Sequence, residues 1–184
     1  MLNLPNVLTC SRFFLAILFT FFLFFQKGIW NTTAFLLFVL ASLTDYWDGR
    51  IAREKNEVTS FGRFMDPLAD KMLTLSAFAA FAVMRLVPWW AVGAVVARDL
   101  AVTVFRLGLP SQAAALGARS SGKNKTIFQV SFILIVLLYL VLAKTSFWRP
   151  EWTALARRGI EWGMMAVVFV TLWSGVRYLW MNRK

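Results

Sequence analysis

Long apolar runs alternate with short charged segments along the chain. Six such runs occur, at residues 13–25, 30–43, 72–83, 89–109, 126–142 and 160–179. A helix needs about 20 predominantly apolar residues to cross a bilayer, and the shorter runs reach this length if their helices begin earlier. The pattern predicts an all-α integral membrane bundle of six transmembrane helices after a short N-terminal juxtamembrane segment. Without a repeat or a long linker, residues 1–184 are expected to form a single domain.

Composition supports the membrane class and excludes several chemistries. The chain of 184 residues is 59% hydrophobic, with a mean hydropathy of +0.63, which is unlike an ordinary soluble domain. It has no histidine, so a Ser-His-Asp triad, a histidine-ligated zinc site and a phosphohistidine intermediate are excluded. Its single cysteine, Cys10, excludes an intramolecular disulfide. The formal net charge is +11, and the basic residues cluster beside the apolar runs. This placement favours anionic lipid or phosphate over nucleic acid as the binding partner.

The basic residues also predict an orientation. With six spans, the N-terminus, the turn at 50–63, a loop at 106–125 and the C-terminus share one side, which carries 12 of the 20 lysines and arginines. By the positive-inside rule, both termini are expected to face the cytoplasm. The expected location is a bacterial inner or plasma membrane. Within that loop, residues 111–122 are small, polar and glycine-bearing. Residues 149–158 are expected to form a second polar connection.

Four of the five aspartates lie between the second and third apolar runs: Asp45, Asp48, Asp66 and Asp70. The first two are three residues apart and the last two are four apart, so each pair shares a face if its segment is helical. Carboxylates near a bilayer core are costly and usually line a functional cavity, and four cannot lie together without compensating charge. Oxygen donors suit Mg²⁺ or Mn²⁺. We therefore predict a cytoplasmic metal site for a phosphorylated substrate, with Asp45, Asp48 and Asp66 as the best ligands and with Asp70 either completing the site or standing at its edge.

Small residues and one arginine separate these acids. Gly49, Ala52 and Gly62 allow close approach of a backbone or ligand, and the guanidinium of Arg53 suits phosphate. The full pattern is Asp45-x2-Asp48-Gly49-x2-Ala52-Arg53-x8-Gly62-x3-Asp66-x3-Asp70. It resembles the signature of the CDP-alcohol phosphotransferase family, membrane enzymes that join a CDP-linked lipid to an alcohol and release CMP. The alternative, a solvated loop of charged residues, does not explain the helical spacing of the acids.

The resemblance implies a division of roles within the motif. Two metal ions are expected to bridge the pyrophosphate of the CDP-linked lipid, with Gly49, Ala52, Arg53 and Gly62 binding that lipid. Asp70 is the implied general base, which takes the proton of the attacking hydroxyl; spacing alone does not separate the roles of Asp66 and Asp70. Family members are commonly dimers, so a homodimer is also implied.

Cations outside the motif are candidates for binding the phosphate of a second substrate: Arg98, Arg106, Arg119, Lys123 and Lys125. Arg98 is the sharpest candidate because it lies within an apolar run beside Asp99, although a structural Arg–Asp pair is the alternative. Arg106 follows two turns later on roughly the same face. The lysines open the next apolar run, where helix N-terminal N–H groups also favour anions. A positive-inside charge run is their alternative.

Residues 66–71, 97–99, 105–106 and 122–129 resemble the phosphatidylglycerophosphate synthase branch of the family, with Asp99 where many relatives are expected to have glutamate. This resemblance covers residues 3–130 and implies transfer from CDP-diacylglycerol to glycerol 3-phosphate. Inositol phosphate, serine or a lipid remains open as the acceptor. A divalent-cation transporter using the same carboxylates is the remote alternative. The last two apolar runs are expected to supply packing and interfacial anchors, the latter including Trp162, Trp173 and Trp180.

Overall fold

The computed structural model describes residues 4–25, 28–55, 60–107 and 111–181, and within them the side chains of residues 11, 13–25, 28–44, 71–105 and 125–180. Six helices account for most of these residues: α1 (Leu4–Phe24), α2 (Gly28–Lys55), α3 (Ser60–Val83), α4 (Trp89–Leu107), α5 (Ser111–Leu142) and α6 (Pro150–Met181). No strand occurs in the described ranges. The prediction of an all-α chain with six helices is confirmed.

Two segments of the described chain are long and apolar enough to cross a membrane, namely Lys125–Leu142 in α5 and Pro150–Trp180 in α6. Shorter apolar segments lie in the first three helices, at Phe13–Phe24, Gly28–Thr44 and Lys71–Val83. Since a full span needs about 20 residues, length and composition support membrane insertion for two helices. The arrangement of six spans stays a prediction.

The predicted loop at residues 111–122 is wrong. These residues form the first turns of α5, which continues without interruption from Ser111 to Leu142. Alanines at positions 113–115 and 118 have the highest helix propensity of any residue, and they offset Gly117 and Gly122.

The predicted connection at residues 149–158 is wrong over most of its length, because α6 begins at Pro150. Proline is favoured at the first helical position, where its missing N–H leaves no hydrogen bond unmade. Glu151 lies in the first turn, where a carboxylate interacts favourably with the helix dipole. The charged residues of this segment lie in the first turns of a helix and not in a loop.

The chain divides into two compact units. The first consists of Met1–Ala80 and Ile133–Pro150. In it α1 packs against α2, and the fully buried rings of Phe19 and Phe38 lie with centroids 5.3 Å apart. Asn31 of α2 donates a hydrogen bond from Nδ2 to the carbonyl of Leu140 in α5, at 3.0 Å. Asn31 is the single buried polar residue among the described side chains of this unit.

The second unit consists of Phe81–Phe132 and Glu151–Lys184. Its first feature is the C-terminus of α3. There the N–H of Arg85 donates to the carbonyl of Ala82 at 3.0 Å, and the N–H of Leu86 donates to the carbonyl of Phe81 at 2.9 Å. This is the Schellman pattern, and Arg85 takes the left-handed conformation that it requires, with φ of 56°. The turn ends α3 and leads directly into α4, which carries the polar centre of this unit.

Candidate functional site

The four motif aspartates lie on two helices. Asp45 and Asp48 are in the second half of α2, and Asp66 and Asp70 are in the second and third turns of α3. Each pair is therefore on a helix, as predicted, and residues three or four apart share a helical face. Their side chains lie outside those described, so the metal assignment stays a prediction. Among the side chains that the structure does describe, no three acidic, cysteine or histidine residues converge.

The residues predicted to bind the CDP-linked lipid follow the same two helices. Gly49, Ala52 and Arg53 fall in the last two turns of α2, and Gly62 falls in the first turn of α3. Their surroundings, too, lie outside the described part of the chain. A donor set of four carboxylates on two helices has the hard oxygen character that suits Mg²⁺ or Mn²⁺.

A buried ionic centre joins three helices of the second unit. We call it the Arg98 cluster, consisting of Arg98 and Asp99 of α4, Lys125 of α5 and Ser174 of α6. Arg98 Nη1 donates to Asp99 Oδ1 at 3.2 Å, and Lys125 Nζ donates to the same oxygen. Arg98 Nη2 donates to Ser174 Oγ at 2.9 Å. The side chain of Arg98 is 11% exposed and those of Asp99 and Lys125 are each 9% exposed.

Among the side chains that the structure describes, the Arg98 cluster contains two cations and one carboxylate. Buried ions are costly unless paired and hydrogen-bonded, and Asp99 is shared between two cations. Arg98 Nε is buried and makes no hydrogen bond within the described part of the chain. Guanidinium and ammonium groups gathered in this way can bind a phosphate by charge-assisted hydrogen bonds.

The structure thus brings together two of the five cations predicted to bind an acceptor phosphate, Arg98 and Lys125. The Arg98–Asp99 contact that the structural alternative expected is present, and Lys125 adds a second cation to it. Arg106 lies in the last turn of α4, and Arg119 and Lys123 lie in α5 before Lys125. The side chains of these three lie outside those described, so their roles stay predictions.

Sequence reasoning missed the contribution of α6. Ser174 contacts Arg98, and the buried Thr171 accepts a hydrogen bond of 3.4 Å from Gln129 Nε2 of α5. The expectation of packing and anchors alone is therefore incomplete for α6, although Trp162 and Trp180 are exposed as anchors would be. A signal existed in the sequence. Positions 171, 174 and 175 are small or polar, and they share one face of α6 within the otherwise apolar stretch at residues 164–176.

Comparison with known proteins agrees with the motif. Residues 2–176 match the family model described as CDP-alcohol phosphatidyltransferase. A Bacillus subtilis (strain 168) protein named CDP-diacylglycerol–glycerol-3-phosphate 3-phosphatidyltransferase is 36% identical over 76% of this chain and 78% of its own length. An Escherichia coli (strain K12) protein of the same name is 35% identical over 96% and 93%. A probable phosphatidylglycerophosphate synthase of Mycobacterium tuberculosis (strain ATCC 25618 / H37Rv) is 36% identical over 75% and 67%. The family match extends past residue 130 and includes Ser174, the α6 residue of the Arg98 cluster.

Proposed function

Because the chain belongs to the CDP-alcohol phosphatidyltransferase family, we propose that it transfers the phosphatidyl group of CDP-diacylglycerol to glycerol 3-phosphate, giving phosphatidylglycerophosphate and CMP. The observation that carries the choice of acceptor is the Arg98 cluster, in which a half-buried arginine and a buried lysine contact the same carboxylate. Charged N–H donors gathered in this way favour a phosphate ligand. Glycerol 3-phosphate provides a phosphate and serine does not. The names of the three relatives support the same substrates.

Asp45, Asp48, Asp66 and Asp70 would hold Mg²⁺ or Mn²⁺, and the family resemblance implies two ions. Bound metal would supply positive charge that stabilises the attacked and leaving phosphates. Arg53 binds the diphosphate of the CDP-lipid through its guanidinium N–H groups. The small residues of the same motif, Gly49, Ala52 and Gly62, leave room for the nucleotide and the lipid phosphate.

Asp70 is the general base of this proposal. Its carboxylate accepts the proton of the attacking hydroxyl of glycerol 3-phosphate. The hydroxyl oxygen forms a bond to the β-phosphorus, while the bond between that phosphorus and the bridging oxygen breaks, and CMP leaves with the bridging oxygen. Asp70 then releases its proton to solvent and is ready for another cycle.

Arg98 and Lys125 bind the phosphate of the acceptor. Arg106, Arg119 and Lys123 add further cations from the same two helices, α4 and α5. Binding the acceptor through its phosphate leaves the hydroxyl at the other end of the molecule free to react. This arrangement orients the nucleophile, and orientation of this kind can lower the barrier of a reaction between two bound substrates by about 7–11 kcal/mol.

The proposal places the protein in a bacterial inner or plasma membrane as a six-span homodimer, with both termini and the site in the cytoplasm. The apolar segments Lys125–Leu142 and Pro150–Trp180 support membrane insertion. The distribution of lysine and arginine supports the orientation. A reporter that is active only in the cytoplasm, fused after Lys184, tests it, and a silent fusion in a protein that is still inserted would contradict it.

CMP release by the purified full chain in detergent tests the function. CDP-diacylglycerol is supplied with Mg²⁺ or Mn²⁺, and glycerol 3-phosphate, inositol 1-phosphate and serine are offered in parallel, with a chelator as control. We expect metal-dependent release with glycerol 3-phosphate alone. Release with serine would keep the reaction class and overturn the assignment of the Arg98 cluster, whereas release with inositol 1-phosphate would keep both and change the identity of the acceptor. Absence of release with all three would contradict the enzyme and favour a transporter.

A further inference from the structure

The guanidinium of Arg98 is held against the backbone of α6. Ser174 Oγ accepts a hydrogen bond from Arg98 Nη2 at 2.9 Å, and the next residue, Gly175, lies beside the rest of the side chain. A Cβ added at Gly175 would lie 2.9 Å from Arg98 Nε and 3.0 Å from its Cγ. Such distances are too short for carbon in van der Waals contact. The absence of a side chain at Gly175 is therefore what allows Arg98 its present position.

Arg98 is constrained on two sides as a result. Asp99 of its own helix binds Nη1, Ser174 binds Nη2, and the buried Nε edge faces Gly175. A planar guanidinium fixed in this way loses little further freedom when it binds a ligand. The N–H groups that remain for a ligand are those at the Nη end of the fork.

From these contacts we infer that Ser174 and Gly175 are positioning residues for the acceptor: they set the orientation in which Arg98 meets the phosphate of glycerol 3-phosphate. The inference rests on the proposed function and extends it to α6. When a substrate is held about 1 Å away from its productive position, the reaction rate can fall about 100-fold. The contacts that fix the position of Arg98 therefore have kinetic consequences. Neither residue needs to touch the substrate.

A second glycine of α6 provides a matched control for simple packing. A Cβ at Gly163 would lie 2.7 Å from Phe132 Cε2, as close an approach as that at Gly175, but the neighbour is an apolar ring. Both glycines lie in the same helix and in the same unit. Gly159, where an added Cβ would have no neighbour within 4 Å, gives the reference for the alanine substitution itself.

The test compares Gly175→Ala with Gly163→Ala and Gly159→Ala in the purified full chain. CMP release gives KM for each substrate, and thermal unfolding in detergent gives stability. We expect Gly175→Ala to raise KM for glycerol 3-phosphate by about 10- to 100-fold while KM for CDP-diacylglycerol stays within about twofold. Gly163→Ala should lower the unfolding temperature and leave both KM values unchanged, and Gly159→Ala should raise the unfolding temperature slightly through its higher helix propensity and also leave both KM values unchanged. If Gly175→Ala affects both substrates equally, or behaves like Gly163→Ala, the inference is wrong.

Ser174→Ala provides a second variant that introduces no clash. It removes one hydrogen bond to a charged group, so KM for glycerol 3-phosphate should rise by about two- to tenfold. Arg98→Ala should abolish the effect of either α6 change, because no guanidinium remains to be positioned. Additive effects in the double variant of Ser174→Ala and Arg98→Ala would contradict the inference, and this comparison remains possible even if Gly175→Ala fails to fold.

The wild-type chain separates this inference from the function on which it rests. Without glycerol 3-phosphate turnover in the wild type, both fall together. If the wild type is active and Arg98→Ala raises KM for glycerol 3-phosphate, the proposed function stands. The α6 variants then decide the positioning role alone.

Discussion

The two units of the chain bury different kinds of residue. In the first, the described interior is formed by phenylalanine, alanine and branched aliphatic residues, with Asn31 as its one buried polar side chain. The described interior of the second contains five buried polar or charged residues: Asp99, Lys125, Gln129, Thr171 and Ser174. An apolar interior stabilises a fold by itself, whereas buried ions often cost more than they return. The second unit therefore accepts an energetic cost at the place where we propose that an anion binds.

The largest effect is expected in the first unit, at its motif aspartates. Asp48→Asn and Asp66→Asn each remove a charged oxygen ligand and keep the size of the side chain, so CMP release should fall below detection. Thermal unfolding should stay close to that of the wild type. Glu54→Gln, a similar change in α2 at a position that the motif leaves unspecified, is the control and should retain turnover. Continued CMP release by either aspartate variant would contradict the metal assignment.

The next effect concerns the stability of the second unit. Asp99→Asn leaves Arg98 and Lys125 without their shared carboxylate, and breaking a buried ion pair in this way costs about 3–5 kcal/mol. Unfolding of the purified variant in detergent measures the loss. Asp99→Glu keeps the charge and should recover most of the stability. An unfolding temperature equal to that of the wild type in Asp99→Asn would mean that the ionic centre is not a part of the folded core.

A smaller effect, confined to one substrate, is expected for Arg98→Ala. Hydrogen bonds to charged groups contribute about 1.5–3 kcal/mol, so KM for glycerol 3-phosphate should rise by about 10- to 100-fold. KM for CDP-diacylglycerol should change little. Steady-state kinetics with each substrate varied in turn provides the measurement. Equal changes for both substrates would assign the Arg98–Asp99 pair a structural role.

The smallest effect is expected for Asn31→Leu in the first unit. This change removes one hydrogen bond to the carbonyl of Leu140 and also removes a buried Oδ1 that has no partner in the described chain. The two contributions oppose each other, so stability should change by no more than about 1 kcal/mol. Both KM values should stay as in the wild type. A change in KM for the acceptor here would remove the distinction between the two interiors.

The helices were predictable because each depends on a local run of apolar residues. The boundaries of α5 and α6 were not predictable, because polar residues and glycines are common both in loops and at exposed helix ends. The alanines after Ser111 and the proline at position 150 favour a helix by intrinsic propensity. The small and charged residues around them favour a loop, and that signal is the stronger of the two. Hydropathy thus located the helices and propensity set their ends.

The candidate site was predictable only where its residues are close in the sequence. The aspartates are three and four residues apart, and Arg98 is adjacent to Asp99, so helical geometry alone relates them. Ser174 lies 76 residues from its partner Arg98, and no local pattern identifies such a contact. The sequence indicates a face of small and polar residues on α6, but it does not indicate which residue contacts that face.

The unbroken course of α5 has a consequence for the thermodynamics of acceptor binding. Its 32 residues extend about 48 Å, so the segment before Lys125 continues well past the length of its apolar part. Arg119 and Lys123 lie in this segment. If the segment were a flexible loop, ordering it on anion binding would cost about 1–2 kcal/mol of conformational entropy per residue. A helix has already lost that freedom. Calorimetric titration with glycerol 3-phosphate should accordingly find only a small loss of conformational entropy.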